Sequence, residues 1–148
     1  MLGRFPSGVT VVTTTDERGA DQGMTVSAFC SVSLHPPLVL VSIEKTASAY
    51  KALTTSAGFV VNVLSARQEQ VARRFAIVDI DRFDGIGFTR SSQGYAVLDD
   101  VLGVIECTRQ QLYDGGDHTI IIGQVEAMRA ETGTPLLYYR GGYAQLEH

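Results

Sequence analysis

Apolar residues fall in short blocks, mostly at every second position, and polar runs containing glycine separate the blocks. Residues 8–15, GVTVVTTT, are dominated by β-branched side chains. Such side chains suit a pleated, half-buried surface and lose rotamer freedom in helices, so a strand is predicted. The polar DERGADQG at 16–23 supplies turn chemistry. MTVSAFCSVSL then places apolar side chains at Met24, Val26, Ala28, Cys30, Val32 and Leu34. That alternation predicts a second strand with one buried face. Its other face presents Thr25, Ser27, Ser31 and Ser33, interrupted by Phe29. His35-Pro36-Pro37 breaks the pairing, because proline has no N–H to give to a ladder. LVLVSIE resumes as a third strand, apolar on both faces and therefore expected to be central.

A short helix is expected over SAYKALTTS, capped by Ser48 or Thr46, with Ala49, Ala52 and Leu53 at helical spacing. GFVVNVLS reads as a fourth strand, and residues 66–76 as a second helix in which Val71 and Phe75 share a face. Residues 79–94, with glycines at 85, 87 and 94, read as irregular. Three long strands close the chain, VLGVIECTRQQLYD, HTIIIGQVEAMRAE and PLLYYRGGYAQL, with turns at Asp114-Gly115-Gly116 and Thr132-Gly133. Strands dominate and helices do not alternate with them. The predicted class is therefore mainly β: an antiparallel sheet closed or nearly closed into a barrel.

With 148 residues, 45% of them hydrophobic and 19% charged, the chain has the size and balance of one folded domain, taken here as residues 1–145. Leu146-Glu147-His148 resembles the join to an expression tag. The opening MLGRFPSG enters a strand pattern almost at once, which suggests that further residues precede it in the natural protein. A net charge of −4 without a basic block argues against nucleic acid as a partner. Cys30 and Cys107 have neither metal nor CxxC spacing and read as reduced thiols of a cytoplasmic protein. No apolar run is long enough to span a bilayer as a helix.

GxSxG, a strand-following GxGxxG, a phosphate-binding Walker loop and a histidine cluster are all absent, so difficult chemistry would fall to a cofactor. Read in order, FPSGVTVVTT, GMTVSAFCSVSLHPPLVLVSI, KTASAY, FVVNVLS, RRFA, GDHTIIIGQV and PLLYYRGGY resemble the flavin reductase family, and the match covers nearly the whole chain. These are the components that feed reduced flavin to two-component flavin-dependent monooxygenases. The resemblance implies a split β-barrel, usually a homodimer, that holds FMN or FAD and oxidises NADH or NADPH. Two positions depart from the pattern. Val26 and Ser27 stand where relatives often carry alanine and asparagine, and His35 stands in place of an aspartate.

For the flavin ring, the resemblance implicates Met24, Thr25, Val26, Ser27 and Ala28, followed by Ser31, Val32 and Ser33, with Ser42 on the next strand. A hydroxyl row on a strand offers donors about 7 Å apart, and it equally describes a solvent-facing surface. Lys45, Thr46, Ala47 and Ser48 are implied at the ribityl phosphate, where the plain alternative is simple helix capping. Arg74 and Phe75 match a motif near the flavin tail, or are a helix-face residue and a core aromatic. His118, the catalytic candidate, matches the position facing the nicotinamide, and Asp117 either orients its ring or only shapes the turn. Tyr139, Arg140 and Tyr143 form a second candidate nicotinamide contact, or barrel core. The implied reaction is hydride transfer from dihydronicotinamide to flavin. The alternatives are a flavin-storage module without turnover, an FMN-bound reductase of another acceptor such as a ferric complex, and a barrel without a ligand.

Overall fold

The computed structural model describes residues 1–147. The reading of residues 146–148 as a tag join thus lies partly outside the described residues. A 3₁₀ turn at Leu2–Arg4 leads into β1 (Ser7–Gly8), β2 (Thr10–Thr15), β3 (Asp21–Val26), β4 (Phe29–Leu34) and β5 (Pro37–Glu44). Helix α1 (Tyr50–Thr55), β6 (Gly58–Val63), helix α2 (Glu69–Arg74), β7 (Phe88–Arg90) and β8 (Ala96–Leu98) follow. The chain ends in β9 (Gly103–Gly115), β10 (His118–Ala130), β11 (Leu136–Tyr139) and β12 (Gly142–Gln145).

Seven strands form one antiparallel sheet in the order β3-β2-β6-β9-β10-β5-β4. β3 and β4 are its two outer edges, yet only Ser27 and Ala28 separate them in the chain. A sheet can satisfy both conditions only by curling until its edges meet. The result is a barrel left split along one seam, in agreement with the predicted fold class. The sheet interior holds Val12, Val41, Ile43, Phe59, Val61, Cys107 and Ile121. The opposite face of β2 and β6 packs under α2 and the β8 region through Val11, Val60, Leu64, Phe75 and Leu98. β2 and β6 are therefore both buried on two faces. β5, expected to be central, lies next to an edge, and its burial alternates through Val39, Val41 and Ile43.

Four further expectations change. The single second strand is two, because the period-two pattern runs unbroken through the residues that cross from one sheet edge to the other. After that crossing the apolar positions face outward, with Val32 48% and Leu34 81% exposed. The closing strand is a hairpin of β11 and β12, turned at Arg140 and Gly141 with φ of 54° and 75°. Residues 79–94 contain β7, paired with β8. Helix α1 starts after Ala49 with no side-chain cap, so neither Ser48 nor Thr46 caps it.

Asn62 ties three elements together. Its amide donates to the Val11 carbonyl at 2.9 Å, and its oxygen accepts from the Leu98 N–H at 2.9 Å. Asn62→Ala is expected to cost about 1–3 kcal/mol of unfolding free energy, read by denaturant titration, because buried partners lose their hydrogen bonds. Burial pushes the Cys107 thiol up to about 12, whereas Cys30 is exposed. A thiol reagent is expected to label Cys30 alone in the native protein, and Cys107 only after unfolding.

Candidate active site

The seam is where chemistry can enter. The Ser27 carbonyl accepts from the Phe29 N–H at 3.0 Å, and the Ala28 carbonyl accepts from the Ser42 N–H at 3.0 Å. The N–H groups of Ser27 and Ala28 donate to no backbone carbonyl among the described residues. Two adjacent amide donors thus stand at the split, where a paired strand would have used them. They border a cavity of about 530 Å³ lined by Ser27, Ala28, Cys30, Leu40, Phe5 and Tyr138 among others. The lining is largely apolar, with donors at one edge, and the volume lies within the usual range for a small-molecule site of roughly 300–1,000 Å³.

Strand register carries the site onward. Leu40, Ser42 and Glu44 of β5 pair with Ile122, Ile120 and His118 of β10. The intervening Val41, Ile43, Thr119 and Ile121 are buried, so these pairs share the outer face. Ser42 touches Ala28, and Ile120 stands beside Ser42. His118, two residues further, therefore lies about 7 Å along the strand from the seam. Its Nδ1 is 2.7 Å from Asp117 Oδ1. A carboxylate can only accept, so the Nδ1–H donates and Nε2 is left for solvent or a ligand. The His118 ring beside Asp117 holds that carboxyl below the usual aspartate range.

At the end of β5, the Lys45 N–H donates to the Asp117 carbonyl at 2.9 Å, and its ammonium pairs with Asp114 on β9. The pairing with Asp114 raises the Lys45 pKa and lowers that of Asp114. Turn bonds run from Ala47 N–H to Glu44 and from Tyr50 N–H to Ala47, and the N–H groups of Thr46 and Ser48 serve no backbone carbonyl among the described residues. Ser48 also lines a 300 Å³ cavity with Gly23, Asp81 and Arg82. From Ser42 to Lys45 is about 10 Å along the chain, and the N–H groups of Thr46 and Ser48 follow in the turn after β5.

A family model described as "Flavin reductase like domain" matches residues 2–147. The chain belongs to this flavin reductase family. It is 39% identical to a flavin reductase of Pseudomonas putida over 144 residues, covering 97% of this chain and 85% of that protein. Identity is also 39% to HsaB of Rhodococcus jostii, a reductase subunit of a flavin-dependent monooxygenase, over 99% of this chain and 75% of that one. The solved structure of the Streptomyces globisporus NADH:FAD oxidoreductase SgcE6, in complex with NAD and FAD fragments, superposes with a TM-score of 0.94 at 37% identity, over 99% of this chain and 88% of that chain. The protein is an oxidoreductase with flavin and nicotinamide as its cofactors.

In this flavin reductase the residues singled out from the sequence do not all converge. Ser27, Ala28, Ser42 and His118 share the outer face around the seam. The hydroxyls do not form one row. β3 ends before Ser27, and a bulge interrupts the β4–β5 register between Ser31 and Ser33. Thr25 is engaged internally, its hydroxyl donating to Ala72 O at 2.6 Å and its N–H to Phe75 O at 3.2 Å. Val26 is 4% exposed and faces the barrel interior, where Met24 and Ala47 also pack. Phe75 is fully buried, edge-on to Phe83 at 5.0 Å, which favours its reading as a core aromatic. Arg74 donates to the carbonyls of Asp81 and Arg82 and braces the loop beside Ser48.

Tyr139 and Arg140 lie at the β11–β12 turn, with the guanidinium 5.8 Å from its neighbour's ring. Tyr143 is covered by Arg73 at 5.0 Å, and burial raises its phenol pKa. The tyrosine at the seam cavity is Tyr138, which pairs with Tyr143 and with Ser7 of β1. Reading YYRGGY as a hairpin rather than one strand was the signal that could have singled it out. Asp114 gave no such signal, because its partner Lys45 is 69 residues away.

Proposed function

We propose that this chain catalyses NAD(P)H-dependent reduction of a freely exchanging flavin and supplies the reduced product to a partner monooxygenase. The observation that carries this reading is the pair of amides at Ser27 and Ala28 that donate to no backbone carbonyl, on residues lining a largely apolar cavity of about 530 Å³. A flavin ring has one hydrogen-bonding edge and one apolar edge, so the donor set and the lining fit it. Lys45 follows the end of β5, about 10 Å along it from Ser42, a span suited to an extended ribityl phosphate, and Thr46 and Ser48 lie in the turn after it. Their ammonium, hydroxyls and free N–H groups would hold the anion. A helix dipole is not needed for this, and α1, with six residues, supplies little of one.

When bound, the flavin accepts a hydride from dihydronicotinamide. The chain's residues would bind and orient the two reactants. The Ser27 and Ala28 amides stabilise negative charge developing along the ring edge, a preorganised electrostatic contribution. Leu40, Ile120 and Tyr138 exclude water. His118, its ring held by Asp117, meets the nicotinamide carboxamide through Nε2 and so fixes the approach of the second reactant. Tyr139, Arg140 and Tyr143 are supporting candidates for the rest of that nucleotide.

The Rhodococcus relative is named as a monooxygenase reductase subunit, which supports a similar partner here. FAD with NADH is the favoured combination. The Streptomyces neighbour is named for that pair, and Ser48 also borders a 260 Å³ cavity containing Arg18 and Lys51, room for the larger flavin beyond its first phosphate. Steady-state rates with FMN and FAD crossed against NADH and NADPH test this, and a preference for FMN with NADPH would reverse it. Flavin is also expected to slow thiol-reagent labelling of Cys30, which lines the ring cavity. Unchanged labelling at saturating flavin would remove the ring from this cavity, and flavin binding without NAD(P)H oxidation would favour the storage module.

β4 is an exposed edge strand bearing Val32 and Leu34, the kind of edge that soluble proteins usually cover. A homodimer is the proposed cover, tested by light scattering. A cytoplasmic location is proposed on the two free cysteines. No helix among the described residues is long and apolar enough to cross a membrane.

A further inference from the structure

Lys45 is already occupied. Its ammonium is paired with Asp114 of β9, and its backbone N–H is held by the Asp117 carbonyl at 2.9 Å. The surrounding charge is mostly of the opposite sign. Glu44 adjoins Lys45 in the chain and pairs in register with His118, and the Asp117 carboxylate is bound to the His118 ring at 2.7 Å. The ammonium is thus paired with Asp114, and the Asp117 carboxylate also bears on it at the tip of the β9–β10 hairpin. A flavin phosphate arriving there must take Lys45 from Asp114 and leave that carboxylate unpaired beside a second anion.

We propose that Asp114 is a built-in competitor for the flavin phosphate: it holds Lys45 when the site is empty, weakens the grip on bound flavin, and so favours release of the reduced product. The inference rests on the reading that Lys45 meets the phosphate. It makes Asp114 an affinity-setting residue that touches neither the ring nor the nicotinamide. The same contest links flavin occupancy to the hairpin end that carries His118. At 78% exposure the Asp114 side chain supports no core packing, so replacing it leaves the barrel intact.

The test uses flavin fluorescence to measure the Kd of FMN, and of riboflavin, which lacks the phosphate, on the wild type, Asp114→Asn, Lys45→Met and the double variant. Asp114→Asn is expected to tighten FMN binding about two- to fivefold, the range implied by an exposed ion pair, and to leave riboflavin unchanged. That gain should vanish in the Lys45→Met background and shrink in concentrated salt, where exposed charges are screened. Unchanged or weaker FMN binding by Asp114→Asn overturns the proposal, as does an equal gain for riboflavin. If Lys45→Met lowers FMN affinity relative to riboflavin while Asp114→Asn is silent, only the competitor role fails. If Lys45→Met leaves the FMN-to-riboflavin ratio unaltered, the phosphate assignment falls and the competitor role falls with it.

Discussion

The Phe59→Ala variant is expected to lose about 3–5 kcal/mol of unfolding free energy, the cost of emptying a fully packed aromatic site. Phe59 has no exposed surface and lies on β6, a strand with both faces covered. Its ring fills the hollow that a glycine leaves on β10. A Cβ added at Gly123 would stand 2.6 Å from Phe59 Cζ and 2.9 Å from the Cys107 Cβ. A register shift between Ile122 and Gly123 in the β9–β10 ladder accompanies this close approach. The neighbours Val41, Val61, Cys107 and Ile121 belong to separate strands, so none can move into the hole without disturbing its ladder. The loss should appear as a fall of about 10 °C in Tm for a domain of this size. A loss below about 1 kcal/mol would mean that the barrel closes over the gap, contrary to the packing described.

The second large effect is functional. His118→Ala is expected to raise the KM for the reduced nicotinamide about tenfold, as loss of one well-placed hydrogen bond and its ring contact implies, while flavin affinity stays within about twofold. The separation follows from position. His118 is carried on the outer face about 7 Å from the seam amides, near enough to reach a second reactant and outside the donor set assigned to the flavin edge. Asp117→Asn should give a smaller change in the same direction, because an amide can either accept from an Nδ1–H or donate to an unprotonated Nδ1, and so fixes the imidazole tautomer less strictly than a carboxylate does. Steady-state kinetics with flavin and nicotinamide varied separately, plus flavin titration by fluorescence, provide both readouts. Equal weakening of both ligands by His118→Ala would move the histidine into the flavin site and contradict the assignment.

Local pattern and tertiary arrangement contribute different parts of this account. The β-branched run Thr10–Thr15, the proline break after His35 and the long β9–β10 hairpin were legible in the chain. So were the mainly β class and the resemblance carried by motifs such as GDHT and the double proline. These are properties of neighbouring residues: which faces are apolar, where a ladder must stop, and where backbone can reverse. The crossing at Ser27 and Ala28 was not legible, because alternation through Met24–Leu34 is the same whether the strand continues or changes sheet edge. Only the pairing of β3 with β2, and of β4 with β5, decided that the sheet curls and leaves two amides unused. Phe75, Tyr138 and the Lys45–Asp114 pair were decided in the same way. Period and composition show that a side chain is apolar or charged, but its partner is chosen by long-range strand order, which brings residues far apart in the chain to one seam.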